Sequence, residues 1–316
     1  FFGGRRDLEN GLLRVLHSLS FIDDPTRVLR AVRLGLRLGF EISPETHHLV
    51  EVALTEGVFD RLSGARLREE LILLLDDPAL AVRGLERLEG LGVLSALHPA
   101  LRLEEPGQPH GERLRRAVAA WDWYSVEGLT EPAAALWRLI LLALVQGGGG
   151  AGPVGRGGAD EPGLRPEAVA ALTERLMLSA DDRRLLAGSA RRLAAAGRAL
   201  GRPGVRPHEV SAALAELSGE ELLLLVASED ETVRTWARRE LSEFRPLELA
   251  IRGRDLVERG IPPGRWIGDA LEAVRRARLD GEIGPEEELA AALGYLDDHA
   301  GERAALAATG TAGEGP

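Results

Sequence analysis

Apolar residues recur at helical spacing along almost the whole chain, and this periodicity constrains the fold more than any other feature. Segments such as TRVLRAVRLGLRLGF (residues 26–40) and ARLREELILLL (residues 65–75) place Leu, Val and Ala every three or four positions. No segment shows a convincing strand-like alternation of apolar and polar residues. The sequence therefore predicts an all-α fold, and the succession of helices predicts an elongated multi-helix architecture.

The composition supports a helical core and narrows the cellular setting. Of 316 residues, 45% are hydrophobic but only 4% are aromatic, so Leu, Ala and Val must form the core. The chain has no cysteine, which excludes disulfides and thiolate metal sites and favours the cytoplasm. The longest apolar run, residues 136–145, is too short to span a bilayer, so we expect no membrane partner.

Local signals predict where several elements begin and end. Gly39, Gly57 and Gly64 fit helix stop signals, and Pro78 fits the first position of a helix. The Gly-rich segment at residues 146–163 predicts a flexible linker, and residues 301–316 predict a disordered C-terminus. The linker lacks the GK[ST] ending of a phosphate-binding loop, and no strand precedes it.

One stretch, FIDDPTRVLRAVRLGLRLGF at residues 21–40, carries an unusual charge pattern. Asp24 followed by Pro25 predicts a helix start. Val28, Leu29, Val32 and Leu36 share one side of the predicted helix, and four arginines fill the other. Those arginines are Arg27, Arg30, Arg33 and Arg37.

Two interpretations fit this pattern. The first is a solvated helix with an aspartate cap. The second is a site for phosphate or a base edge, because no acid lies between Asp24 and Glu41 and the arginine face repels itself unless an anion lies on it. Residues 1–40 carry a net charge of +3 within a chain of −11, so a nucleic-acid partner fits. Every Lys/Arg position is Arg, a compositional bias that weakens any argument from arginine abundance alone.

The chain resembles the class II tRNA nucleotidyltransferases and bacterial poly(A) polymerases, most closely the long form in which this enzyme follows DHH-type and CBS domains. Residues 1–40 resemble the neck region, and ARLREEL (residues 65–71) resembles the next neck motif, ERxxxEL. The similarity continues at residues 88–101 and 251–289. The signature [ED]DPxRxLRAxRF is matched by Asp23, Asp24, Pro25, Arg27, Arg30, Arg33 and Leu34.

The resemblance implies a nucleotide-binding site for ATP or CTP. Asp24 and Arg27 are expected to read the base edge through hydrogen bonds, since a carboxylate accepts and a guanidinium donates. Arg30 and Arg33 are expected to steady that pair or to contact the triphosphate. Two positions depart from the family pattern: Leu34 replaces Phe, and Ala65 replaces the acid that opens ERxxxEL.

The resemblance also implies a division of the chain and a tRNA partner. We expect a neck at residues 1–75, a body at 76–145, the linker, and a tail at 164–300. In the tail, Ile267, Leu271 and Val274 form the inward side of a helix. The expected RNA-binding residues, on the outward side, are Arg275, Arg276 and Arg278.

The family's chemistry uses a GxDxD strand motif that holds two Mg²⁺ ions, and this chain has no such motif. We therefore expect that the catalytic head is missing, that the chain begins inside a longer protein, and that no catalytic or metal-binding residue lies in it. A non-catalytic helical RNA-binding or scaffold protein is the alternative. The sequence leaves open CCA, CC, A or poly(A) addition, and the oligomeric state.

Overall fold

Helices account for nearly all regular structure in the computed structural model of the chain. The structure describes residues 3–99, 101, 103–105, 108–147 and 166–300. In chain order the α-helices are α1 Gly4–Glu9, α2 Ser20–Asp23, α3 Thr26–Leu38, α4 Pro44–Thr55, α5 Gly64–Leu75, α6 Ala81–Gly90, α7 Val93–Leu97, α8 His110–Val126, α9 Leu136–Gly147, α10 Pro166–Arg175, α11 Ala180–Leu200, α12 Pro207–Leu214, α13 Gly219–Val226, α14 Glu231–Arg239, α15 Gly253–Val257, α16 Arg265–Leu279 and α17 Glu288–Asp298. The predicted all-α fold class is confirmed.

Short elements that are not α-helical lie between these helices. Val58–Arg61 and Pro285–Glu287 are 3-10 turns, and Glu240–Phe244 is a π-helical segment. Two-residue strands form two small ladders. In the first, β1 (Leu12–Leu13) pairs in parallel with β2 (Glu41–Ile42); in the second, β3 (Glu104–Glu105) pairs antiparallel with β4 (Gln108–Pro109).

The chain divides into two compact units. The first contains residues 1–201 and 216–238, and the second contains residues 202–215 and 239–316. The neck, body and tail boundaries concern functional segments and stay predictions. Residues 148–165, which make up most of the predicted linker, and residues 301–316 lie outside the described residues.

Each unit buries an aliphatic core, as the low aromatic content predicts. In α3 of the first unit, Val28, Leu29 and Val32 are buried, whereas Leu36 is only partly buried. In α16 of the second unit, Val274 is buried, and Ile267 and Leu271 pack against the same cluster. Since the apolar residues of α3 and α16 recur every three or four positions, each of these two helices presents one continuous side to its core.

The glycine and proline signals were right after α3 and after α4, where Gly57 follows the helix end with φ 61°, and wrong at two other places. Gly39 ends α3 in the left-handed region, with φ 70°, as predicted. Gly64, by contrast, is the first residue of α5, because Ser63 caps that helix by accepting a hydrogen bond from the Arg66 backbone N–H at 3.3 Å. Pro78 lies in a turn, and α6 begins only at Ala81.

A close approach between α5 and α10 explains the glycine at the start of α5. A Cβ atom added to Gly64 would lie 2.2 Å from the carbonyl oxygen of Arg175, at the end of α10. The Arg175 guanidinium then donates to the carbonyls of Leu62 and Phe59, at 2.9 and 2.7 Å. The end of α10 thereby fixes the segment that leads into α5.

Among the described helices, none combines the length and the hydropathy needed to cross a bilayer.

Gly64→Ala tests the contact between α5 and α10. Because the added methyl group meets a backbone carbonyl that cannot rotate away, we expect the free energy of unfolding to fall by about 1–3 kcal/mol. Gly90→Ala is the control, since Gly90 ends α6 in the same unit with nothing within 4 Å of an added Cβ. It should leave stability within about 1 kcal/mol of wild type. Urea unfolding measures both, and equal midpoints for the two variants would contradict the close approach.

Candidate functional site

The start of α3 is built around the carboxylate of Asp24. Asp24 is extended, with φ −148° and ψ 93°, as expected for a residue before proline. Its Oδ1 accepts hydrogen bonds from the backbone N–H and the hydroxyl of Thr26, at 3.2 and 2.6 Å. The predicted capping interaction is therefore present, and it uses only one of the two carboxylate oxygens.

The second oxygen of Asp24 lies between two guanidinium groups. Arg66 of α5 donates from Nη2 to Oδ2 at 2.9 Å, and Nε of Arg27 lies 3.9 Å from the same atom. Burial of the carboxylate opposes its ionisation, but the hydrogen bonds from Thr26 and Arg66 outweigh that effect and lower the pKa of Asp24. Asp24 is therefore an ionised acceptor at neutral pH.

The guanidinium of Arg27 is anchored at one end and open at the other. Its Nη1 donates to the hydroxyl and to the carbonyl oxygen of Ser20, at 3.0 and 3.2 Å. The side chain remains 40% exposed. Asp24 and Arg27 are thus brought together one turn apart, as the sequence predicts, with donors and an acceptor side by side.

Arg30 and Arg33 share a single carboxylate, that of Glu70 on α5. Arg30 donates to Glu70 Oε1 from Nη2 at 2.6 Å and from Nε at 3.2 Å. Arg33 Nη2 lies 3.6 Å from Oε2, an ion pair without a hydrogen bond. The anion that the arginine face needs therefore comes in part from the fold itself. This contact was missed because 40 residues separate Arg30 from Glu70.

The complete cluster has an excess of positive charge. Four guanidinium groups, those of Arg27, Arg30, Arg33 and Arg66, face the carboxylates of Asp24 and Glu70, which leaves a net charge of +2. The spacing of Arg66 and Glu70 in ARLREEL is the one sequence signal that places both on the same side of α5. The cluster can therefore bind an anion and also offers an acceptor.

In the second unit, the predicted outward side of α16 is wrong for two of its three arginines. Arg275 donates to the carbonyls of Leu247 and Phe244, at 2.5 and 2.8 Å, so it binds the backbone at and just after the end of the π-helical segment. Arg278 Nε lies 2.8 Å from a carboxylate oxygen of Glu288, whose side chain is 0% exposed and requires a counter-charge.

Arg276 is the exposed member of this group. Its side chain is 60% exposed and its Nε lies 3.2 Å from Glu272, one turn earlier on the same helix. Such a surface pair contributes little to stability, so its guanidinium is available to a ligand.

Comparisons with known proteins place the chain among its relatives. No family model matches the chain. An A-adding tRNA nucleotidyltransferase of Geobacter sulfurreducens is 32% identical over 294 residues, which are 91% of this chain and 31% of that relative. The chain therefore spans about a third of the length of that curated relative. The CCA-adding enzyme of Thermotoga maritima, solved in complex with tRNA, superposes with a TM-score of 0.69 at 26% identity, over 94% of this chain and 67% of that chain.

The chain is homologous to the A-adding and CCA-adding tRNA nucleotidyltransferases. A CCA-adding enzyme solved with CTP matches at a TM-score of 0.69 and 26% identity, over 96% of this chain and 65% of that one. Each match covers almost the whole chain, including the segment between the matched neck and tail motifs, for which the sequence pattern showed only helical character.

Glu70→Gln tests whether one carboxylate holds the arginine face of α3. The amide keeps the shape of the side chain but removes its charge. The positive charges of Arg30 and Arg33 then lack the negative charge that lies between them in the wild type. We expect the free energy of unfolding to fall by about 1–3 kcal/mol. The matched control is Glu69→Gln, because Glu69 is the exposed neighbour and has no partner among the described residues. It should change stability by less than about 0.5 kcal/mol. Equal losses in the two variants would refute the role of Glu70.

Proposed function

We propose that this chain is the nucleotide-reading and tRNA-binding part of a tRNA nucleotidyltransferase that adds A, or CCA, to the 3′ end of tRNA in the cytoplasm. The observation that carries the proposal is the pair at the start of α3, where Asp24 and Arg27 present an acceptor and donors side by side. Homology to A-adding and CCA-adding enzymes supports it. A helical RNA-binding or scaffold protein without catalysis is the second candidate, which the homology does not favour.

The pair has the chemistry to select ATP and CTP over the other nucleotides. Adenine and cytosine each present an amino donor beside a ring-nitrogen acceptor, whereas guanine and uracil present a carbonyl beside a ring N–H. Asp24 Oδ2 would accept from the amino group, and the Arg27 guanidinium would donate to the ring nitrogen. A base with the reversed pattern places a carbonyl against the carboxylate and is rejected.

Arg30 and Arg33 would have different roles at the same site. Arg30 keeps 45% of its side chain exposed while it binds Glu70, so it is able to reach a triphosphate. Arg33 is only 19% exposed and is better suited to hold Glu70 in place. The excess charge of the cluster would favour a nucleotide that carries several negative charges.

Nucleotide transfer itself would depend on a domain outside this chain. In the family, two Mg²⁺ ions held by a GxDxD motif support the reaction, and this sequence has no such motif. Within the part of the chain that the structure describes, no three metal-ligating side chains of His, Cys, Asp or Glu lie together, so these residues do not fit the ions. We propose that the head of the long form, with DHH-type and CBS domains, supplies them.

The second unit would bind RNA through its exposed arginines. The proposed RNA-binding region contains Arg275, Arg276 and Arg278. Arg276 would contact the RNA directly. Arg275 and Arg278 would act by holding the end of α16 in shape, since both guanidinium groups bind the fold itself.

Substitutions at the start of α3 test base reading in the full-length protein that contains this chain. Asp24→Ala should relax base selection because the base edge loses its acceptor. Arg27→Ala should relax selection and also slow addition because it removes donors. Each lost charged hydrogen bond should cost about 1.5–3 kcal/mol, or roughly ten- to a hundredfold in discrimination. The assay is kcat/KM for each of the four nucleotides.

Arg37→Ala is the matched control, since Arg37 is an exposed arginine of α3 that lies about 15 Å further along the helix than Arg27. Its selectivity should equal that of wild type. If Asp24→Ala keeps wild-type selectivity and merely lowers the melting temperature, Asp24 is only a helix cap. If the wild-type full-length protein adds no nucleotide but binds RNA, the scaffold alternative is correct.

Salt dependence tests RNA binding by the isolated chain. If arginine–phosphate contacts dominate, tRNA affinity should fall steeply between about 50 and 200 mM salt, and Arg276→Ala should reduce the salt slope by about 1. Arg184→Ala is the control, because Arg184 is also an exposed, acid-paired helical arginine, on α11. Filter binding measures both, and an affinity that does not change with salt would rule out this mode.

A further inference from the structure

The side chain of Ser20 is buried next to the proposed base-reading pair. Ser20 is the first residue of α2 and is 5% exposed. Its hydroxyl and its carbonyl oxygen both accept from Nη1 of Arg27, at 3.0 and 3.2 Å. The same carbonyl accepts from the backbone N–H of Asp24 at 3.2 Å. One residue therefore contacts both members of the pair.

The two contacts to Nη1 determine which edge of Arg27 remains open. Neither Nε nor Nη2 of Arg27 forms a hydrogen bond to any of the described residues. The guanidinium is a rigid plane, so two acceptors on Nη1 restrict the rotation of the whole group. The edge formed by Nε and Nη2 then lies next to Asp24, whose Oδ2 is 3.9 Å from Nε.

We propose that Ser20 is a positioning residue that sets the guanidinium plane of Arg27 and thereby determines base selectivity. This inference rests on the proposed function. The backbone carbonyl alone accepts along one direction and leaves the guanidinium free to swing about that contact. The hydroxyl supplies the second point of attachment, which holds the open edge in line with the Asp24 carboxylate.

Ser20→Ala is the direct test in the full-length protein. It removes the hydroxyl but keeps the carbonyl, so Arg27 stays bound but less well oriented. We expect discrimination of ATP and CTP against GTP and UTP, as ratios of kcat/KM, to fall roughly fivefold. Ser20→Thr keeps the hydroxyl. Its loss of discrimination relative to wild type should therefore be at most half of the loss caused by Ser20→Ala. Ser18→Ala is the matched control, because Ser18 is exposed and has no partner within the described residues.

A double-mutant cycle separates positioning from a merely structural effect. In the Arg27→Ala background there is no guanidinium to orient, so Ser20→Ala should change selectivity no further. If it costs as much in that background as in wild type, the effect does not pass through Arg27 and the inference is wrong.

The remaining outcomes separate this inference from the proposed function. If Arg27→Ala lowers discrimination and Ser20→Ala does not, base reading stands and the role of Ser20 is refuted. If neither Asp24→Ala nor Arg27→Ala changes discrimination, the proposed function fails and the inference fails with it. Circular dichroism and melting curves of each variant confirm that folded proteins are compared. If Ser20→Ala does not fold, Ser20→Cys takes its place, because a thiol fills nearly the same space and is a much weaker acceptor than a hydroxyl.

Discussion

The middle of the arginine face of α3 depends on one carboxylate, Glu70, which lies between Arg30 and Arg33. Without it, two guanidinium groups one turn apart would repel each other on a helix that must also pack its other side against the core. Glu70 is held by α5, whose Leu67 and Leu71 are buried. The charge arrangement is therefore only as stable as the packing of α5, and the close approach of α10 at Gly64 supports the start of that helix.

The same helix also sets the position of the acceptor. Arg66, one turn before Glu70, binds Oδ2 of Asp24, so α5 supplies a cation to the start of α3 and an anion to its middle. The capping role of Asp24 and its proposed base-reading role therefore do not exclude each other. Its Oδ1 caps the helix while its Oδ2 lies among guanidinium groups, and the two roles use different atoms. Under the proposed function, stability and base reading both depend on this residue, which is why its substitution must be judged by selectivity as well as by melting.

Several local signals were sufficient, although the local signal of Pro78 was not, because α6 begins three residues after it. Helical periodicity, the cap at Asp24 and the end of α3 at Gly39 each depend on neighbouring residues, and the motif at residues 23–34 predicts a site that stays a proposal. The contacts of Glu70 with Arg30 and Arg33 were not predictable, because periodicity fixes the side of a helix but not the helix that packs against it. Gly64 was misassigned for a related reason: a glycine that ends a helix and one that admits a neighbouring backbone look identical in sequence.

Arginines of the described residues differ in how many of their donors the fold itself satisfies. Arg175 and Arg275 each direct both terminal nitrogens to backbone carbonyls, so they act as internal braces with little capacity for a ligand. Arg27 is bound only at Nη1. An arginine bound at one end has already lost most of its rotamer freedom, so a ligand that meets its open edge pays less of that entropy on binding. In a chain whose basic side chains, histidine apart, are all arginine, residue type alone carries no functional information. Partial anchoring is shared by Arg68 and Arg234, each bound through Nη1 to one backbone carbonyl, so it is the position of Arg27 beside the Asp24 carboxylate that supports the proposed base reading.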